Sequence, residues 1–420
     1  DAQFARYIEN ISVRNILIRD SDGLRPPRGS KFLLTRQDGE LRSVLQLSYF
    51  RGENMTRVSG RGYSRPGEGG RVELQLEHMN PADLAGISSL FSPLSALSLP
   101  VDAELEFDLA ADGALARGEV DIRLKDGTVS LSDRRFSVGR FELELETDLV
   151  AQTIRLKKGR INVDGVGAQI AGTADFTLTP AGEIELVTAR LDGQKIDADV
   201  PGFLQGAIRD ARADLGLTYL GPRNRLVIDS GSLLVQGEKG TLSGSINFSD
   251  ALPKFDLTVG FDSLTRETAF TLWPIKMGPM TRKWVGENIT GGRIDGAVVK
   301  LDAGLGELIT RKKGEPMREE ALMLSMQFSD VNIRPLRHLP PIAGTRASLL
   351  MRGKSFQADL QDGQVLLPDP KQNADSQPVQ ISKGTLKIEN YHAKGVPSAI
   401  SFDAKGDLGV VLYHLNRPPL

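Results

Sequence analysis

The chain has 420 residues, of which 40% are hydrophobic and 25% are charged, and its formal net charge is −2. This composition excludes a disordered chain and a bundle of membrane-spanning helices. The near-zero charge gives no electrostatic reason to expect nucleic-acid binding. The absence of cysteine from the sequence excludes disulfides, cysteine metal sites and thiol catalysis.

The first hundred residues are predicted to form an N-terminal β segment. Apolar residues alternate with polar ones around positions 11–18, 32–47 and 72–76. The glycine-rich stretch at 60–70 predicts a loop between strands, and Asn80 before a proline predicts the N-cap of a short helix near 80–98. Because the opening residues lack the basic start and apolar stretch of a signal peptide, we expect the chain to be a piece of a longer or processed protein.

Residues 101–109 and 141–146 alternate strictly between apolar and acidic side chains. Such strands have one dry face and one solvated face. An aligned β-sandwich would show the same local pattern, so these strands alone leave the architecture open.

An 18-residue stretch occurs twice, at 159–176 and at 231–248, with glycines and apolar residues at matching positions. A period of this size, built from short alternating runs, indicates a repeated β unit. One such unit cannot bury its apolar face alone, so the units must stack. Each copy is followed, after its third strand, by a segment without alternation, at 197–210 and at 264–288.

The sequence therefore predicts a mainly β fold, with an elongated, twisted, largely antiparallel sheet that forms a repeating β-groove with short helical crossing segments. Four segments are predicted from the repeats and their inserts. They are 1–100 with the short helix, 101–230, 231–342 with a helical insert at 264–290, and 343–420.

The sequence contains no recognisable catalytic constellation. The four histidines lie far apart, and no glycine cluster has the Walker spacing. The acidic stripe of Glu142, Glu144 and Glu146 is interpreted as a solvated convex face rather than a cation site. We therefore predict no enzyme activity and no cofactor.

The sharpest motif of the chain lies in the second insert. It contains Trp273-Pro274, Pro279, Arg282, Trp284-Val285, Asn288-Ile289 and Gly291-Gly292. We expect both tryptophans to be largely buried. Arg282 is expected to stack on a tryptophan, with exposure of the motif to a membrane or a partner as the alternative.

This motif and the repeated units, in which Gly-x-apolar-x-apolar leads to Gly-x-x-x-Phe, resemble the AsmA-like proteins of Gram-negative bacteria, especially the YhdP-like branch. The resemblance spans nearly the whole chain. It implies a bridge-like lipid transfer protein in the periplasm, part of an inner-membrane-anchored protein that serves outer membrane biogenesis. The implied partners are phospholipid and the inner and outer membranes, reached through an anchor or partner proteins.

The candidate lipid-binding residues are the apolar sets of the alternating strands, because alternation places each set on one face. They are Leu105, Phe107, Leu109, Ile122, Leu124, Phe141, Leu143, Leu145, Ile161, Val163, Phe176, Leu178, Ile184, Leu186, Leu215, Leu217, Ile228, Leu233, Val235, Ile246, Phe248, Phe255, Leu257 and Val259. The rival hypothesis is a structural or adhesive β-solenoid without lipid cargo. The 72-residue period argues against this rival, because a solenoid repeats about every 20–30 residues.

Overall fold

The computed structural model describes residues 10–14, 18–20, 23–25, 30–51, 54–80, 99–131, 134–250, 252–275, 277–310, 318–334, 341–365, 379–391 and 398–406. Strands account for 71% of these residues and helices for 8%. The predicted mainly β, antiparallel class with short helical segments is thus confirmed. The helix expected near 80–98 lies outside the described residues.

The described N-terminal half consists of strands. They are β1 (Asn10–Arg14), β2 (Ile18–Asp20), β3 (Gly23–Arg25), β4 (Lys31–Gln37), β5 (Glu40–Arg51), β6 (Asn54–Arg65), β7 (Gly69–Met79), β8 (Val101–Leu109), β9 (Leu115–Leu124), β10 (Gly127–Leu131), β11 (Arg134–Val138), β12 (Phe141–Asp148), β13 (Thr153–Val163), β14 (Val166–Leu178) and β15 (Ile184–Ala198).

The C-terminal half contains strands and three short α-helices among its described residues. The strands are β16 (Ile208–Leu220), β17 (Arg225–Val235), β18 (Glu238–Asn247), β19 (Lys254–Phe261), β20 (Ile289–Thr290), β21 (Arg293–Gly304), β22 (Leu322–Ile333), β23 (Ile342–Arg352), β24 (Ser355–Val365), β25 (Gln380–Ile388) and β26 (Ala399–Lys405). The helices are α1 (Arg266–Leu272), α2 (Pro279–Asn288) and α3 (Leu305–Thr310).

The chain divides into two compact units. Unit 1 comprises Asp1–Ala198 and Leu217–Pro222, and unit 2 comprises Asp199–Gly216 and Arg223–Leu420. The division into four segments by sequence repeat stays a prediction.

Each unit is an antiparallel meander in which successive strands pair. In unit 1 the pairing runs β1–β4–β5–β6–β7–β8–β9–β12–β13–β14–β15. The hairpin β10–β11 joins this sheet where Val138 lies opposite Val163 on β13. In unit 2 the pairing runs β17–β18–β19–β21–β22–β23–β24–β25–β26.

The glycine-rich stretch at 60–70 is mostly strand, and the predicted loop is confined to the turn at 66–68, where Gly67 has φ of 85°. Strand β6 continues through Gly60 to Arg65, and strand β7 already begins at Gly69. A Cβ atom at Gly60 would lie 2.6 Å from Cδ2 of Leu74 on the neighbouring strand. The glycine therefore makes room for a cross-strand leucine, which is a packing role and not a turn.

The two units bury their apolar residues to different extents. In unit 1, seven described apolar residues form a small buried cluster around Leu76, Val101 and Leu124. In unit 2, a much larger cluster joins Trp273 and Val285 of the insert to the apolar residues of β21–β25, among them Leu349. Unit 2 therefore contains a sealed core under its helices.

The insert begins and ends with local signals that the sequence carries. Thr265 caps α1, since its Oγ1 accepts a hydrogen bond from the backbone N–H of Thr268 at 3.2 Å. Pro279 opens α2, where its missing N–H costs nothing. Gly278 precedes it in the left-handed conformation with φ of 53°, which favours glycine.

The predicted burial of the two tryptophans is confirmed for one and partly for the other. Trp273 is 5% exposed, and its Nε1 donates a hydrogen bond to the carbonyl of Met277 at 2.7 Å. Trp284 is half-buried, and its ring centroid lies 5.2 Å from that of Phe356 in an edge-to-face arrangement.

The expected stacking of Arg282 on a tryptophan is wrong. The Arg282 guanidinium lies 5.0 Å from the ring centroid of Phe270 instead. It also donates hydrogen bonds to the carbonyls of Phe270 at 2.8 Å and Trp273 at 3.2 Å, so it satisfies the C-terminal carbonyls of α1. Partial burial lowers the pKa of Arg282 from its ordinary value, and the group remains a cation.

Candidate functional site

The strand register of unit 1 arranges apolar side chains in rows that cross the sheet. Three neighbouring rows define what we call the apolar face of unit 1. The first row is Phe32, Leu45, Gly60, Leu74, Leu105, Val120, Leu145, Leu156, Gly172 and Leu191. The second row is Leu47, Val58, Leu76, Ala103, Ile122, Leu143, Gly159, Ile170 and Gly193. The third row is Leu34, Ser43, Gly62, Val72, Phe107, Gly118, Thr147, Ile154, Ala174 and Ala189.

These three rows contain no charged side chain. Most of their large apolar members are half-buried and not sealed, as Leu105, Val120 and Leu145 are at the middle of the first row. A packed core would hide such residues almost completely. The apolar face of unit 1 is thus an uncharged surface that remains partly accessible to solvent.

Most of the predicted residues of unit 1 lie on the same side of the sheet as these rows. Leu143 and Ile122 lie directly opposite each other, as do Phe141 and Leu124. The same alternation carries Ile161 and Val163 along β13 and Phe176 along β14.

Leu186 is the exception and corrects the sequence-based assignment. It pairs with Thr177, whereas its neighbour Val187 pairs with Phe176. A bulge at Glu185 adds one residue to β15, which moves Leu186 to the opposite face from Phe176. One extra residue in a strand reverses the face to which alternation assigns every side chain beyond it.

A second bulge keeps two lysines off the apolar face. The register shifts between Leu156 and Gly159, so both of these residues lie on the apolar face. Lys157 and Lys158 are therefore directed to the other side, where Lys157 contacts Glu146 at 2.5 Å and Lys158 contacts Glu144 at 3.0 Å. Strict alternation would have placed Lys158 among the leucines.

The opposite side of unit 1, which we call the charged face, carries ladders of ionisable side chains. One ladder runs Asp102, Arg123, Glu142 and Arg160 across four strands. A hydrogen bond from Arg140 lowers the pKa of Glu142, and a hydrogen bond to Glu146 raises the pKa of Lys157. Opposite charges thus meet across the strands, which stabilises a solvated surface.

Acidic side chains also gather on this face, as the sequence predicts. Glu106 lies opposite both Glu73 and Glu119, and Arg71 contacts Glu106 and relieves their repulsion. Long side chains around Glu73, Glu104 and Glu106 surround an open depression of about 600 Å³. The expected convex shape of the face at Glu142, Glu144 and Glu146 stays a prediction. No group of acidic or histidine side chains among the described residues has the arrangement of a metal site.

The apolar face of unit 2 repeats the pattern of unit 1. Its rows pair Ile246 with Phe255 and Leu242 with Val259. Leu233 lies opposite Gly240, and Leu215 on β16 approaches the glycine at position 231. Phe248 follows the end of β18 and is 42% exposed, so it is the least sheltered of these predicted residues.

Comparison with protein-family models, with curated proteins and with solved structures finds no match to this chain. In the part of the chain that the structure describes, no helix is long and apolar enough to cross a membrane. The geometry of the two faces is therefore the basis for a functional proposal.

Proposed function

We propose that this chain binds phospholipid acyl chains on its apolar faces and conducts lipid between the inner and outer membranes across the periplasm. The observation that carries the proposal is the set of uncharged, half-buried cross-strand rows around Leu105, Leu143 and Phe107. An open sheet with such a face gains stability when something apolar covers it.

Acyl chains match this face in two respects. Each methylene removed from water contributes about 0.8 kcal/mol to binding. The backbone groups of an interior strand such as β12 are hydrogen-bonded to strands on both sides, β9 and β13. A lipid tail on this surface would therefore meet no unsatisfied polar group.

The setting in the bacterial envelope is part of the proposal and derives from the AsmA-like, YhdP-like resemblance of residues 273–292. The antiparallel strands and short helices of the structure agree with the mainly β fold predicted from the sequence. Neighbouring strands pair antiparallel, which is not the geometry of a parallel β-solenoid. The rival hypothesis that remains is a scaffold that binds no lipid, and the test below distinguishes it from lipid binding.

The test is lipid capture on the two faces of one strand. A photoreactive amino acid is placed at Leu143 on the apolar face or at Glu144 on the charged face, and the protein is irradiated with phospholipid vesicles. We expect phospholipid adducts at position 143 and not at position 144, identified by mass spectrometry. Equal capture at both positions, or capture at neither, would favour the scaffold.

A further inference from the structure

One cross-strand row of unit 2 changes its burial along its length. The row consists of Leu233, Gly240, Phe261, Ala297, Met326, Leu349, Ala358, Leu386 and Ile400. Leu233 and Phe261, on β17 and β19, are half-buried. Met326 is 3% exposed and Leu349 is 1% exposed, on β22 and β23. Along this row the side chains are half-buried on the β17–β19 side of β21 and buried across β22–β25. Phe261 packs against the edge of the buried cluster, and Ile228 and Val235 of β17 are themselves buried.

The element that seals it is the insert of α1 and α2, residues 264–290. The chain leaves the sheet after β19 and rejoins it at the two-residue strand β20, which pairs with β22. The backbone N–H of Leu264 donates to the carbonyl of Ile294 at 3.0 Å. Five apolar residues of this segment belong to the same buried cluster as the strands beneath. They are Leu264, Ala269, Trp273, Val285 and Ile289.

The insert lies in direct contact with the apolar rows. A Cβ atom at Gly278 would be 2.5 Å from Sδ of Met351, so the backbone itself rests on that side chain. Trp284 packs its ring against Phe356. The outer side of α2 carries the exposed Lys283 and Glu287, together with Met280, which is 59% exposed. The insert thus covers the sheet as an amphipathic lid covers a core.

Several hydrogen bonds join the two helices of the insert. Arg282 joins α2 to the carbonyls at the end of α1 and also donates to Oε1 of Gln205 at 2.5 Å. Arg266 of α1 donates to the carbonyl of Gly286 on α2 at 2.7 Å. These bonds tie the two helices to each other.

We infer that the insert occupies the place that acyl chains take elsewhere and ends the lipid-binding face of unit 2 at β19. The inference rests on the proposed function and adds a boundary to it. Lipid contacts the apolar residues of β17–β19, such as Leu233, Leu257 and Val259. The apolar residues of β22–β24 form a permanently closed core that lipid does not enter.

The boundary is tested on the unaltered protein. Phosphatidylcholine that carries a diazirine in an acyl chain is bound and irradiated, and the labelled peptides are mapped by mass spectrometry. We expect at least tenfold more label on peptides of β17–β19 than on peptides of β22–β24. Comparable label on both sets would overturn the boundary and leave the proposed function intact. No label on any strand would overturn the proposed function and the boundary with it.

A pair of variants tests whether the insert is the cause of the boundary. Trp284→Ala removes the ring that packs on Phe356, and Lys283→Ala alters an exposed neighbour on the same helix. Hydrogen exchange across residues 266–288 identifies the conditions, such as mild denaturant, under which the insert of the Trp284→Ala protein opens. Label on β22–β24 should then rise severalfold, while the Lys283→Ala protein stays at the unaltered level. An opened insert without this rise would show that something else excludes the lipid.

Discussion

At the scale of single residues, the most demanding position is Gly278. It combines a left-handed backbone with a contact that leaves no room for a side chain, since Met351 lies directly against it. Each of these conditions alone favours glycine, and together they explain how α2 begins flat against the sheet.

Gly278→Ala should lower the free energy of unfolding by about 2–4 kcal/mol, from the left-handed strain together with overpacking against Met351. Gly182→Ala is the matched control, because Gly182 has φ of 81° and no atom within 4 Å of the added Cβ. The control should lose only about 1–2 kcal/mol. Urea denaturation of both variants measures the difference, and equal losses would show that the Met351 contact is unimportant.

The two tryptophans should differ in their contributions. Trp273 is buried and donates a hydrogen bond, so Trp273→Ala should cost about 3–5 kcal/mol. Trp284 is half-buried, so Trp284→Ala should cost less. Denaturant unfolding compares the two, and acrylamide should quench the fluorescence of Trp284 more readily than that of Trp273. A larger loss at Trp284 would contradict the burial described above.

At the scale of elements, the charged face should make unit 1 sensitive to acid. The pKa of Glu142 is lowered first by a hydrogen bond from Arg140, and that of Asp148 first by the backbone N–H of Ala151. A carboxylate with a lowered folded-state pKa stabilises the protein above its unfolded pKa. That stabilisation is lost as the pH falls through the folded value.

We therefore expect the melting temperature to fall as the pH is lowered below about 4.5, the ordinary value for a glutamate. Arg140→Gln removes the cation that keeps Glu142 ionised, so its unfolding should depend less on pH in this range. Thermal melts between pH 3 and pH 7 provide the measurement. An unchanged pH profile in Arg140→Gln would mean that this contact is too solvated to contribute.

The strands could be predicted from the sequence because alternation has a period of two and persists over many residues, as in 101–109. The bulges could not be predicted, since Glu185 and Lys157 look like ordinary strand residues and only the partner strand reveals the extra one. Gly60 and Gly62 likewise look like loop residues in the sequence, since only the partner strand reveals what they pack against. Their role depends on a leucine and a valine of the adjacent strand.

The sealed core of unit 2 could not be separated from an open apolar face by pattern alone. Strand β22 alternates much as β12 does, with apolar residues on one side, yet its apolar residues are buried and those of β12 are half-buried. The difference lies in the insert, which covers β22 in the folded protein. Its position over the sheet depends on tertiary contacts that the strand pattern does not encode. Likewise, the guanidinium of Arg282 lies over the ring of Phe270 and not over a tryptophan, because its hydrogen bonds to the carbonyls at the end of α1 fix the side chain there.

At the scale of the whole molecule, neighbouring residues of one strand serve two different surfaces. One residue must be charged for the charged face, and the next must be apolar for the apolar face. The charged face depends on ion pairs with water around them, and the apolar face depends on the absence of charge from its rows. A charge added to one face or the other should therefore have different effects on lipid transport, although each substitution is a single residue.

Leu143→Asp places a carboxylate in the middle of the second row, opposite Ile122 and Gly159. Leu143 is half-buried, so we expect the carboxylate to reach water when no lipid is bound and the protein to fold. An acyl chain would have to pass a desolvated charge, so transfer of a fluorescent phospholipid between vesicles should fall at least tenfold. Gln169→Asp adds the same charge beside Arg160 on the charged face and should transfer at the original rate. Circular dichroism establishes that both variants are folded. If a folded Leu143→Asp protein transfers lipid as fast as Gln169→Asp, the acyl chains do not travel along this face.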